Sequence, residues 1–105
     1  MRLAASIERE SGYDRRRFAR TAVTIGAGLG SAQDRPSTGV TVVDLSQGGC
    51  GIESAPYLEA GARVWLKLPG LQSWPARVAW ADGTRAGLQF DNPLHVAVVE
   101  RYRSA

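Results

Sequence analysis

Four arginines, Arg15, Arg16, Arg17 and Arg20, stand within six positions of the stretch "DRRRFAR", although the chain has thirteen basic residues in 105, of which only Lys67 is a lysine. Arg16 and Arg20 are four apart. A guanidinium is a planar fork of donors: it binds phosphate bidentately, pairs with the O6 and N7 acceptors of guanine, or stacks on a base. A lysine ammonium makes neither the forked contact nor the stack. Downstream, "DLSQGG" sets Asp44, Ser46 and Gly49 at offsets of zero, two and five. The Asp44 carboxylate has two acceptor oxygens for the ring N–H and the exocyclic amine of guanine, so the two stretches together can read one base on both edges. Such a set suits a guanine nucleotide.

These residues must be carried by elements that the rest of the sequence specifies. From Thr21 the pattern has period two, with Val23, Ile25, Ala27 and Leu29 on one face and Gly26 and Gly28 on the other. A turn-rich connection, "GSAQDRPSTG", leads to "VTVVDL", dense in the β-branched residues that suit a strand. "SQGGCGIES" then predicts a turn or bulge that needs positive φ or close backbone approach, followed by a short strand around Ile52. "RVWLKLPG" alternates Val64, Leu66 and Leu68 inward against Trp65 and Lys67 outward, and Pro69 and Gly70 end it. "WPARVAWADGTRAGLQF" reads as two strands joined at Asp82-Gly83, with Ala86, Leu88 and Phe90 inward and Trp80 in the core or closing the barrel. Asn92-Pro93 is the expected N-cap and first residue of a terminal helix that buries Leu94, Val98 and Tyr102. Six strands with no helices between them exclude an alternating α/β architecture. The expectation is an all-β fold, a small six-stranded antiparallel barrel with a C-terminal α-helix, closed so that no sheet edge is exposed.

Composition narrows the chemistry. The length suits one domain, expected over 13–105 behind a flexible lead-in over 1–12. A net charge of +3 favours anionic partners only weakly. The single cysteine, Cys50, rules out an internal disulfide and a multi-thiolate zinc site, and between glycines it reads as a small buried hydrophobe. His95 is the only histidine, so metal catalysis is not expected, and neither a phosphate-cradling loop nor a nucleophile-elbow serine is present. The sequence therefore points away from an enzyme. With no long apolar run and no secretory core in residues 1 to 20, the expected location is the cytoplasm.

The two stretches, in this order and separated by 23 residues between Arg20 and Asp44, resemble the PilZ domain family, whose pattern is R-x-x-x-R followed by [D/N]-x-S-x-x-G on a β-barrel. "GARVWLKLPG", "ARVAW" and "AGLQF" are similar to later strands of the family, so the resemblance covers roughly residues 13 to 102. It implies a receptor for cyclic di-GMP, a second messenger with two guanines and two phosphates. Arg16 and Arg20 would wrap the ligand from the N-terminal segment, Asp44 and Ser46 would bind base or backbone from the barrel, and Gly49 would keep the turn open. Arg15, Arg17 and Gly48 are supporting positions. The implied protein is a single-domain bacterial adaptor whose N-terminal segment changes on binding and which signals through an unidentified protein partner. No cofactor, nucleic acid polymer or membrane is expected, and the adaptor would be a monomer or a weak homodimer.

Plainer readings accompany each residue. Arg16 or Arg20 can pair with Asp44 or Asp14 on the surface, and Asp44 and Ser46 can cap the glycine turn. The alternative function is a PilZ-like protein-interaction module that does not bind the nucleotide. A third class, a small barrel binding RNA or single-stranded DNA, lacks the interleaved aromatics of such proteins.

Overall fold

The computed structural model describes residues 18–33, 38–53 and 57–103. Among these residues six strands, β1 (Thr21–Gly30), β2 (Thr38–Leu45), β3 (Gly49–Glu53), β4 (Arg63–Lys67), β5 (Trp74–Ala81) and β6 (Arg85–Phe90), precede one helix, α1 (Val96–Arg103). All strand pairs are antiparallel, and they close in the order β1-β2-β3-β6-β5-β4. This is the expected barrel.

The core forms because one face of each strand is apolar. Val64, Leu66 and Leu68 are buried from β4 and its exit, Ala86, Leu88 and Phe90 from β6, and Ile25 and Leu29 from β1. Val23 and Ala27 pack against the same cluster at its margin. Cys50 is wholly buried among these side chains, as expected of a small hydrophobe.

Three bulges break the two-residue period, and two of them decide what faces outward. Val42 and Leu45 are both fully buried although they are three residues apart on β2. Strict alternation forbids that. The pairing with β3 slips between Val42 and Asp44, so Val43 is the extra residue and Asp44 turns to the barrel exterior. On β5 the pairing with β6 slips between Val78 and Trp80, Ala79 is the extra residue, and Trp80 turns outward with 44% of its surface exposed. Of the two places the sequence allows Trp80, core or barrel closure, the structure excludes the core.

The ends also differ in detail from expectation. The β5–β6 hairpin closes through Asp82 N–H to Arg85 O at 3.0 Å, so its central residues are Gly83 and Thr84, with Gly83 at φ +98°. Glycine first with positive φ matches the twist of a tight hairpin. Helix α1 starts at Val96, not at Pro93. His95 caps it, its Nδ1 accepting the Ala97 N–H at 3.0 Å, while the Leu94 N–H is taken by Gln47 O at 2.8 Å. The buried helix residues are Val99 and Tyr102, Val98 is half-buried, and Leu94 is buried in the lead-in. The Tyr102 hydroxyl donates to Pro69 O and ties the helix to the exit of β4.

Candidate functional site

The β2–β3 connection is a four-residue turn, Ser46 to Gly49, closed by Ser46 N–H to Gly49 O at 2.9 Å. Ser46 is fully buried, and its Oγ accepts the N–H groups of Gly48 and Gly49, each at 3.2 Å, while donating to Gly49 O at 3.3 Å. One donor and two acceptor positions are thus all used inside the turn. Gly49 is needed here for close approach: a Cβ on it would stand 2.1 Å from the carbonyl oxygen of Leu88 on β6. The positive φ that the glycine-rich stretch suggests occurs instead at Gly61, Gly70 and Gly83 among the described residues.

The turn and the bulge together present Asp44. Its Oδ1 accepts the Gly51 N–H at 3.1 Å and receives Arg20 Nη2 at 2.5 Å. Oδ2 accepts no hydrogen bond among the described residues and leans over Gly51, where it would lie 2.5 Å from an added Cβ. The two stretches singled out in the sequence therefore meet across 24 residues of chain. Arg20 and Asp44 keep 44% and 32% of their side-chain surface exposed, so their attraction is screened and is worth under about 1 kcal/mol. Arg15, Arg16 and Arg17 lie outside the described residues.

Register places Asp44 in a row that runs around the barrel exterior. Ala22 pairs with Asp44, Asp44 with Gly51, Gly51 with Gly87, and Gly87 with Trp80. At its centre the row carries two glycines. At both ends a side chain leans inward over a glycine: Asp44 over Gly51, and Trp80 over Gly87, whose added Cβ would be 2.2 Å from Trp80 Nε1 and 2.8 Å from its Cδ1. The nitrogen side of the indole therefore lies close over Gly87, while much of Trp80 stays exposed. Three strand spacings of about 4.8 Å separate the two ends, roughly 14 Å in all. The face combines a carboxylate acceptor, a paired arginine, two glycines covered by the side chains beside them and an exposed aromatic ring. Gly51, Gly87 and Trp80 escape a reading of the sequence, because register and bulge position bring them together; the dipeptide-scale cue was only that each glycine falls on an outward strand position.

Beneath this face, burial pushes the Cys50 thiol far above its ordinary range, an effect reinforced by the Asp44 carboxylate and partly opposed by Arg20. It stays protonated. Among the described residues no cluster of three or more His, Cys, Asp or Glu side chains is placed to hold a metal ion, and no helix is long and apolar enough to cross a membrane.

A search of curated proteins finds no match. The family model described as the PilZ domain, in contrast, matches residues 14–103, the span that holds both sequence motifs and every strand of the barrel. Motif order, barrel and match agree: the chain belongs to the PilZ domain family, a family of cyclic di-GMP receptor domains.

Proposed function

We propose that the chain is a cyclic di-GMP receptor that acts as an adaptor, binding the nucleotide on the exterior row between Asp44 and Trp80. The meeting of Arg20 with Asp44 carries this reading, because it joins both motifs at one exposed point of the barrel. A guanine would donate its ring N–H and exocyclic amine to Asp44, and Arg20 would exchange the carboxylate for a phosphate or for the O6 and N7 edge. The exchange is inexpensive, since the exposed ion pair it breaks is weak. Arg16 is proposed as the second arm of the arginine pair. Ser46 and Gly49 act from within: the serine braces the turn, and the glycine lets it approach β6.

Trp80 is a platform for a base, since stacking on an exposed aromatic contributes about 1 to 3 kcal/mol per base. On binding, the N-terminal segment changes conformation around the ligand, and the new surface is read by a protein partner in the cytoplasm. Selectivity tests the reading. Adenine carries an acceptor at N1 and no 2-amino group, so the Asp44 carboxylate repels it. Titrations followed by tryptophan fluorescence should show cyclic di-GMP binding and cyclic di-AMP failing to bind. Trp80→Ala should remove most of the fluorescence change and weaken binding about tenfold. Equal binding of the two nucleotides would refute guanine recognition by Asp44.

A further inference from the structure

The β2–β3 turn is held by the C-terminal part of the chain. Gln47 and Gly48, the two central residues of the turn, make three hydrogen bonds to it. Gly48 O accepts the Phe90 N–H at 2.8 Å, Gln47 O accepts the Leu94 N–H at 2.8 Å, and Gln47 Nε2 donates to Leu94 O at 3.0 Å. Gln47 and Leu94 thus form a reciprocal clamp. The centre of a tight turn usually sends its side chain into water, and its backbone groups need no protein partner. Here both are spent on one residue 47 positions away.

Leu94 is itself buried, and His95, next to it, caps α1 and accepts the Val98 N–H at 2.9 Å. Force applied to the turn therefore reaches the first turn of the helix through one residue. In the other direction, Gln47 is three residues from Asp44, and the Leu45–Cys50 and Asp44–Gly51 pairs carry the turn's position to the carboxylate.

We infer that Gln47 is a positioning residue for the nucleotide face: through its clamp on Leu94 it fixes the turn that presents Asp44, and it couples nucleotide binding to the anchoring of α1. This rests on the receptor reading above. Coupling of two equilibria is reciprocal, so a clamp that favours the bound turn must itself be tightened by the ligand. The C-terminal helix then becomes a second place where the bound state differs from the free one.

The Leu94 amide reports the clamp directly, because its N–H is one of the clamp's bonds. Hydrogen exchange of the full chain, followed by NMR with and without cyclic di-GMP, should show the Leu94 amide slowed about fivefold or more at saturation. The slowing should exceed that at the amide of Ala62, which bonds to Glu59 O within the β3–β4 connection and has no part in the clamp. Gln47→Ala should speed Leu94 exchange in the free protein, shrink the ligand response, and weaken binding about fivefold. Gln47→Glu keeps the side chain's shape but turns an oxygen toward Leu94 O, and it should behave like the alanine variant. Wild-type behaviour in the Glu variant would overturn the hydrogen-bond assignment. Binding by the wild type with an unchanged Leu94 amide would overturn the coupling and leave the receptor reading standing. Absence of binding by the wild type would sink both.

Discussion

Gly49 and Gly51 sit two residues apart on β3, yet a methyl group at each meets a different kind of obstacle. At Gly49 it strikes the backbone oxygen of Leu88, which can move only with the barrel. At Gly51 it strikes the outer oxygen of Asp44, the end of a rotatable side chain. Gly49→Ala should therefore destabilise the fold by about 1 to 3 kcal/mol, seen as a lower denaturation midpoint. Gly51→Ala should leave that midpoint close to wild type while turning the carboxylate aside and weakening cyclic di-GMP binding about tenfold, the scale of a lost hydrogen bond to a charged group. Equal effects of the two variants on stability would show that the Asp44 side chain cannot give way. Cys50 supplies a second residue-scale test. Its buried, protonated thiol should resist a thiol reagent in the native protein and react on unfolding.

Among the elements, the hairpin between β5 and β6 shows how one side chain sets a turn. Asp82 Oδ1 accepts the Arg85 N–H at 2.7 Å and the Thr84 N–H at 3.0 Å, and these bonds, the Arg85 one foremost, hold its carboxyl below its ordinary value. A carboxyl whose folded pKa is lowered contributes stability above its unfolded pKa and loses it as the pH falls through the folded value. Asp82→Ala should thus lower the thermal midpoint at neutral pH, and the gap from wild type should close in acid. A gap that persists unchanged in acid would contradict the role of the ionised carboxylate.

Element by element, β4 and β6 were legible in the sequence because their alternation is unbroken, and both ends of the arginine-to-glycine pattern were legible as motifs. The bulges at Val43 and Ala79 were not, since an extra residue is a property of two paired strands and neither strand alone records it. That is why Trp80 reads as a core or barrel-closing residue in the sequence and is partly exposed to solvent in the structure. The helix start was displaced for a related reason: the Leu94 carbonyl accepts Gln47 Nε2 from a turn far away in sequence and the Val98 N–H goes to His95 O, so the chain does not enter α1 at Pro93.

For the whole molecule, closure of six strands gives a small body whose interior is filled by side chains, which leaves the outside for the proposed recognition chemistry. A ligand gripped there stabilises only the folded barrel. At a concentration one hundred times its Kd, cyclic di-GMP should raise stability by about 2.7 kcal/mol, and the melting temperature should keep rising with ligand. The central claim is met most directly by isothermal titration of cyclic di-GMP into the wild-type protein and into the folded Arg20→Ala and Asp44→Ala variants. Saturable binding at micromolar affinity or tighter, lost in both variants, is the predicted result. No heat from the wild type at high ligand concentration, or undiminished binding by Asp44→Ala, would contradict it.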